Sequence, residues 1–190
     1  MPAPFLLDTN IYFLFFQYPK SPSYFHLTQK IQVGAEVSFY ISEITSMEIH
    51  SVLGKYRRGS SAQNQQCERE ITSATGNMKC SSTWISPKRK KMKSKVFRDI
   101  QKLISDIETQ KGNVQATILQ LDQASIANAR KLLIKYADRY RFGSQDALIV
   151  GSVVMAREVK GVDLVLVTSD KGLKVVLKDE GVPFYDPAIP

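Results

Sequence analysis

Short apolar segments of strand length alternate with helix-like segments along this chain. The segments PFLL (4–7), VSFYIS (37–42) and VDLVLVTS (162–169) are apolar or β-branched and are predicted to be strands. Apolar residues recur at helical spacing in 43–59 and 123–140, so these ranges are predicted to be helices. The order of strand, helix, strand, helix, insertion, helix, helix, strand, helix and strand predicts an α/β fold with a largely parallel sheet.

The composition fits one domain with a polyanionic partner. A length of 190 residues and an apolar fraction of 43% are sufficient to bury a core. The net charge of +8 favours a partner such as a nucleic acid, although charge alone does not identify one. Cys67 and Cys80 form no Cys/His cluster, so a zinc site is not expected.

The beginning of the chain does not predict a signal peptide or a membrane span. It has no basic segment before its apolar run, and Asp8 interrupts that run. The apolar segment IYFLFF (11–16) is far shorter than the roughly 20 residues that span a bilayer. We therefore expect a cytoplasmic protein with no membrane partner.

Residues 60–98 differ from the rest in composition: 60–70 is polar, and 74–95 is predicted to be loop-like. The stretch is polar, and 88–98 contains seven Lys and Arg residues with no acid. Such a run either contacts nucleic-acid phosphates or is a solvated charge block, and both interpretations remain open. The candidate RNA-binding residues are Lys88, Arg89, Lys90, Lys91, Lys93 and Lys95.

Four acids lie at the ends of predicted elements. Asp8 follows the first strand, and Glu48 lies one turn into the helix after the second strand. Asp146 opens a later helix, and Asp170 follows the strand 162–169. In an open parallel sheet the carboxyl ends of the strands share one edge, and ligands bind there. The four carboxylates are therefore expected to converge on that edge.

Each acid also has a purely structural explanation. Asp8 is a candidate helix cap, and TSME (45–48) matches a capping box in which Glu48 reaches back to Thr45. Asp146 suits the positive end of its helix, and Asp170 suits a turn in SDKG. Taken one at a time, these explanations are the more common ones.

A shared position beside the core favours a metal site over four separate caps. Carboxylates gathered next to apolar residues repel one another and take up protons unless a cation neutralises them. Hard oxygen ligands suit Mg²⁺ or Mn²⁺. In a basic protein, such a site fits hydrolysis of phosphodiesters, because the metal neutralises phosphate charge and activates water.

Four segments together resemble the successive motifs of PIN-domain nucleases, which include VapC-type toxins. They are LLDTNIYF, YISEITSMEIHSVL, SQDALIVGSVVMA and LVLVTSDKGL. The resemblance implies a Rossmann-like three-layer sandwich with a central, mostly parallel sheet. It also implies a Mg²⁺- or Mn²⁺-dependent endoribonuclease site, in which the family's acids match Asp8, Glu48, Asp146 and Asp170. Small polar positions that assist in the family match Thr9, Asn10, Ser144, Thr168 and Ser169.

The resemblance further implies a homodimer that acts on RNA, with a protein antitoxin or other regulator if the chain is a toxin. Compact family members lack the roughly sixty residues found here at about 57–121, so we predict a single PIN-like domain, 1–190, with a basic insertion. A non-catalytic RNA-binding or scaffold module with the same fold is the alternative. A phosphatase or phospho-acceptor domain is disfavoured, because DTN lacks the second acid of those sites.

Overall fold

The fold is that of a computed structural model, which describes residues 4–73, 75–86, 88–159 and 161–189. At Gln63, Gln65, Ser73, Trp84 and Ser86 it describes the backbone alone. The strands are β1 (Phe5–Leu7), β2 (Gln32–Val33), β3 (Glu36–Ser42), β4 (Gln63–Ser73), β5 (Gly76–Ser86), β6 (Val114–Leu119), β7 (Val165–Val167) and β8 (Phe184–Tyr185). The α-helices are α1 (Thr9–Tyr12), α2 (Pro22–Ile31), α3 (Glu43–Arg58), α4 (Ser94–Glu108), α5 (Gln123–Tyr136), α6 (Ser144–Glu158) and α7 (Lys171–Asp179).

The central sheet is mostly parallel, as the sequence predicts. Its parallel strands lie in the order β6, β3, β1, β7 and β8, and the short β2 pairs antiparallel with the start of β3. Along the chain, β3 and β6 are added on one side of β1, and β7 and β8 are added on the other. This is the strand order of doubly wound α/β sheets, in which the order reverses beside the first strand.

Helices pack against both faces of this sheet. Leu6 of β1 and Leu166 of β7 pair in register and belong to a core built with α5, α6 and α7. Phe39 of β3 lies on the opposite face, and its ring centroid is 5.9 Å from that of Tyr12 and 5.2 Å from that of Phe15. The protein is therefore a mixed α/β fold, compatible with a three-layer arrangement.

The position of α6 depends on a close approach at Gly151. A Cβ at this residue would lie 2.5 Å from the carbonyl oxygen of Ser125 and 3.0 Å from the amide nitrogen of Ala129. Glycine allows the backbones of α5 and α6 to come this near, because it has no side chain to clash. The contact fixes α6, whose first turn carries Asp146.

Several predicted helix boundaries differ from those in the structure. Asp122 caps α5, as the sequence predicts, through a bond from the Ser125 N–H, but this helix ends at Tyr136 rather than at 140. Apolar residues at helical spacing in 25–36 predict a helix that stops at Gly34, but α2 already ends at Ile31, and 32–33 turns back as a strand. The local helical pattern cannot anticipate this, because β2 depends on pairing with β3.

The prediction that 74–95 is loop-like is wrong for Gly76–Ser86, which form β5, and at 74 and 87 it lies outside the described residues. β4 and β5 form an antiparallel hairpin with eleven residue pairs, from Gln63 with Ser86 to Ser73 with Gly76. Polar residues occupy both faces, so the strands lack the alternation of apolar and polar positions that identifies a half-buried strand. The two strands are stabilised by pairing with each other, and the residue pattern of either strand alone does not show this pairing.

The chain divides into two compact units. The first contains Met1–His50 with Ile100–Pro190, and the second contains Ser51–Asp99. The predicted insertion at 57–121 thus overlaps the second unit up to 99 and the first unit beyond it. Within the described residues, no helix combines the length and apolar character needed to cross a membrane.

Candidate active site

One small pocket in the first unit, of about 70 Å³, collects all four acids singled out in the sequence. Its lining consists of residues from the ends of β1 and β7, from α3 and from the first turns of α1 and α6: Asp8, Thr9, Asn10, Glu48, Gln145, Asp146, Ile149 and Asp170. It lies where the strand order reverses, which is where open α/β sheets bind their ligands.

Asp8 is held by hydrogen bonds to both of its carboxylate oxygens. Oδ1 accepts from the N–H groups of Asn10 at 2.6 Å and Ile11 at 3.4 Å, so Asp8 does cap α1. Oδ2 accepts from Oγ1 of Thr168 at 2.5 Å. The side chain is only 4% exposed. Its carboxylate therefore has a fixed orientation at the edge of the pocket.

Glu48 is free of the capping role that TSME predicts. The helix α3 begins at Glu43, two residues before Thr45, and the N–H of Thr45 is accepted by Ser42 Oγ at 3.1 Å. Glu48 instead accepts a hydrogen bond of 2.5 Å from Thr9 Oγ1 to its Oε2. Thr9 follows Asp8 in the chain, so this bond links the end of β1 to the acid on α3. It explains why Thr9 and Glu48 line the same pocket.

Asp146 and Asp170 each use one oxygen to stabilise a helix start. Oδ2 of Asp146 accepts from the Gly143 N–H at 2.9 Å, and Oδ1 of Asp170 accepts from the Leu173 N–H at 2.8 Å. Among the described residues, no donor bonds to Oδ1 of Asp146, Oδ2 of Asp170 or Oε1 of Glu48. Capping and pocket lining are therefore compatible, because a carboxylate has two oxygens.

The small polar residues that were identified together with the four acids do not all lie at the pocket. Thr9 and Asn10 line the pocket, and Thr168 is completely buried beside it. Ser169 faces elsewhere, because its Oγ donates to Oδ1 of Asp186 at 2.6 Å. Ser144 is the first residue of α6 and is exposed, outside the pocket lining.

Two residues of the pocket lining were missed in the sequence, and so was one link outside the pocket, made by Asp186. Gln145 and Ile149 line the pocket, and Ile149 was detectable because it lies three positions after Asp146 on the same helical face. Asp186 accepts from Lys174 Nζ at 2.5 Å as well as from Ser169, and so ties the segment before α7 to the end of the chain. Only the fold reveals this link, because no periodic pattern in the sequence relates Asp186 to Ser169 or Lys174.

The pocket is electrostatically unfavourable to its own carboxylates. Burial raises the pKa of the Asp8 carboxyl, and the nearby charge of Asp146 also raises it, against the hydrogen bonds that Asp8 accepts. Burial likewise raises the pKa of Asp146, and the charges of Asp170 and Glu48 add to the effect. Among the described lining residues there is no Lys or Arg to offset this charge.

The donor chemistry of the pocket fits a hard divalent cation. Carboxylate oxygens from four segments surround it, and three of those oxygens lack a donor within the described structure. Across the described ranges, no three His, Cys, Asp or Glu side chains are grouped closely enough to hold an ion as they stand. Mg²⁺ usually binds through one or two carboxylates and keeps several waters, so a site for it does not require three grouped side chains.

Neither a scan against protein-family models nor a search of the curated proteins found a match for this chain. The resemblance to PIN-domain nucleases accordingly rests on the four motifs alone.

The candidate RNA-binding residues lie in the second unit. Arg89 is half-buried, and the other five are exposed, namely Lys88, Lys90, Lys91, Lys93 and Lys95. No acidic side chain in the described part of the chain forms an ion pair with any of them. The charges of the five exposed lysines are therefore available to solvent or to a ligand, whereas the guanidinium of Arg89 lies 5.9 Å from the ring centroid of Tyr56.

Proposed function

We propose that this protein is a divalent-metal-dependent endoribonuclease that hydrolyses RNA phosphodiester bonds, with a PIN-like fold. The observation that carries the proposal is the convergence of Asp8, Glu48, Asp146 and Asp170 on one small pocket. These acids come from four separate parts of the chain. Capping accounts for Asp8, Asp146 and Asp170 each at its own helix, but it does not require them to meet, and it does not account for Glu48.

The charge of the pocket supports a role for a cation. Burial and the neighbouring acids raise the pKa of Asp146, which is the expected effect when carboxylates gather without a counter-ion. A phosphodiester is itself an anion and would be repelled from four acids with no Lys or Arg in the described lining. Mg²⁺ or Mn²⁺, when bound, supplies the neutralisation of phosphate charge and the activation of water that this reaction needs.

The residues of the pocket have distinct roles in this proposal. Asp146 and Asp170 each retain one oxygen without a donor in the described structure, and they would hold the ion directly or through water, together with Asp8. The bond from Thr9 uses Oε2 of Glu48 and leaves Oε1 to ligate the ion or to accept a proton from the attacking water. Ile149 is the apolar member of the lining and limits access of bulk water.

A non-catalytic PIN-like module in RNA processing is the second candidate. It is favoured by the separation of the acids, since no three of the described His, Cys, Asp or Glu residues are already grouped as metal ligands. Binding of Mn²⁺ in a calorimeter without turnover of any RNA would support this module over the nuclease.

The deciding experiment is an RNA cleavage assay on the purified chain with Mg²⁺, Mn²⁺ or EDTA. Asp8→Asn and Asp146→Asn should each abolish cleavage, because they remove a negative charge while keeping the shape of the side chain. Asp138→Asn is the matched control, because the side chain of Asp138 is 78% exposed and lies outside the pocket. Cleavage that persists in EDTA, or that survives both pocket substitutions, would reject the proposal.

The resemblance extends the proposal to a homodimer and to a protein antitoxin or other regulator. Both are predictions of the family resemblance alone. Sedimentation of the purified chain tests the dimer. Growth arrest on induced expression, relieved by a small protein encoded beside this chain, tests the toxin role.

A further inference from the structure

The positive charge of this protein belongs to one unit of its fold. The second unit, Ser51–Asp99, contains twelve of the 26 Lys and Arg residues but only three of the 18 Asp and Glu residues. Its formal net charge is therefore +9, and the first unit, with the other 14 basic and 15 acidic residues, has a net charge of −1. The net positive charge is therefore concentrated in the second unit and is not spread evenly along the chain.

The basic segment 88–94 is fastened to the end of α3. Ser60 and Arg89 exchange two backbone hydrogen bonds of 3.1 and 2.9 Å, and the Met92 N–H donates to the carbonyl of Tyr56 at 3.0 Å. Arg57 donates from Nη1 to the Met92 carbonyl at 3.2 Å and from Nη2 to Ser94 Oγ at 2.8 Å. The lysines of this segment are therefore presented on a defined backbone.

Gly59 makes this attachment possible. Its φ of 69° lies in the left-handed region, so it ends α3 in the manner usual for a glycine after a helix. A Cβ here would lie 3.0 Å from the Arg89 carbonyl oxygen and 3.1 Å from the backbone of Lys91. The sequence thus provides both the turn and the space that bring the segment against the helix end.

Part of this charge lies where it opposes local stability. Cations at the end of α3, such as Lys55 and Arg58, interact favourably with the helix dipole. Lys93, Lys95 and Arg98 instead flank or occupy the first turn of α4, which contains no acid. Positive charge at a helix N-terminus is unfavourable, and the neighbouring lysines repel one another. An anionic ligand relieves both effects.

We infer that this basic surface, formed by the end of α3, the segment 88–94 and the first turn of α4, binds the phosphate backbone of RNA. The inference deepens the proposed function, and rests on it for the choice of RNA, because it names a second surface that holds the substrate. Lys88, Lys90 and Lys91 contact phosphates. Arg57 is a positioning residue, since both of its terminal nitrogens are already bonded to the segment.

The test measures RNA binding without cleavage. A fluorescent oligo(U) is titrated with the full chain in EDTA, and anisotropy gives Kd across a series of salt concentrations. The combined variant Lys88→Gln, Lys90→Gln and Lys91→Gln should weaken binding roughly tenfold and reduce the slope of log Kd against log salt by about two, at about 0.7 per phosphate contact. The matched control neutralises three exposed lysines of the first unit, Lys102, Lys111 and Lys131.

A slope unchanged by the first triple variant, or reduced equally by the control, would overturn the inference. Binding of the chain to phosphatidylserine vesicles but not to oligo(U) would overturn it in favour of a membrane surface. Arg57→Lys keeps the charge but loses the planar fork, so it should weaken binding with little change in slope. Because binding in EDTA is independent of cleavage, loss of the nuclease proposal and loss of this surface are distinguishable.

Discussion

Oγ1 of Thr168 donates a hydrogen bond of 2.5 Å to Oδ2 of Asp8, and the same oxygen accepts the N–H of Asp170 at 3.1 Å. One hydroxyl thus joins the acid that follows β1 to the acid that follows β7. The two strands are neighbours in the sheet, and Thr168 is completely buried between their ends. The spacing of two of the proposed ligands depends on this residue.

Thr168→Val should lower cleavage by about 10–100-fold, the usual effect of losing a residue that orients a metal ligand. The lost bond normally lowers the pKa of Asp8, so the pKa should rise further and the acidic limb of the pH–rate profile should move to higher pH. Thr28→Val is the control, because its hydroxyl bonds only to carbonyls of its own helix. An unmoved acidic limb in Thr168→Val would contradict this role.

Asp146→Asn should stabilise the metal-free protein while removing its activity. Burial and the charges of Asp170 and Glu48 raise the pKa of Asp146 in the folded state above its ordinary value of 3.8. The folded protein therefore holds this proton to a higher pH than the unfolded chain does, and stability falls as pH rises from 3.8 through the folded pKa.

Urea unfolding in EDTA at several pH values measures this effect. At pH 7 the free energy of unfolding should increase by about 1 kcal/mol in Asp146→Asn, the scale of other stabilising substitutions at strained sites. The added stability conferred by Mn²⁺ on the wild type should disappear in the variant. A loss of stability in the metal-free variant would argue that Asp146 serves mainly as a helix cap.

Lys174→Met should destabilise the end of the chain. Burial alone would raise the pKa of Asp186, but hydrogen bonds from Lys174, Ser169 and the Ala188 N–H outweigh it and lower the pKa. This contribution is therefore present above pH 3.8 and is lost as pH falls through the folded pKa. Removing the lysine leaves a buried carboxylate without its charged donor, which should reduce the free energy of unfolding by about 2–3 kcal/mol.

Thermal unfolding across the acidic range checks this interpretation. The loss of stability of the wild type on acidification should be smaller in Lys174→Met. The double variant Lys174→Met with Asp186→Asn should recover part of the stability, because it no longer buries an unpaired charge. If the single and double variants were equally unstable, packing rather than the ion pair would be the cause.

Gly151→Ala should also destabilise the fold. The added Cβ would lie 2.5 Å from the Ser125 carbonyl oxygen, so α5 and α6 must move apart at a cost of about 1–3 kcal/mol. Gly161→Ala is not a suitable control because of its positive φ, whereas Gly54→Ala is: this glycine also lies inside a helix, and its nearest contact is a side-chain nitrogen of Arg58 at 3.5 Å. A normal denaturation midpoint for Gly151→Ala would contradict the close packing.

Most of the central sheet and all four pocket acids were predictable from the sequence. β1, β3 and β7 are short apolar segments with clear ends, and each pocket acid lies at or just after such an end, or in the first turns of the helix that follows. Parallel topology then brings these ends to one edge without any knowledge of side-chain contacts. Local pattern and global fold agree in this part of the chain.

The second unit was not predictable in the same way. β4 and β5 carry polar residues on both faces, so their extended conformation follows from pairing with each other. The link from Asp186 to Ser169 and Lys174 likewise joins residues that no periodic pattern relates. At Glu48 a local pattern is misleading. TSME matches a capping box, but α3 begins earlier, at Glu43, so Glu48 does not cap the helix.

Asp8 caps α1 and, in the proposed nuclease, would also help to hold the metal ion, and these two tasks together restrict which residue can replace it. Asn, Ser or Thr would still cap α1 but would remove the charge, and Glu would keep the charge but is a poor cap. No second residue type satisfies both demands. A descendant of this protein that abandoned its chemistry would therefore be expected to show Asn, Ser or Thr at position 8, and this change could be read directly from its sequence.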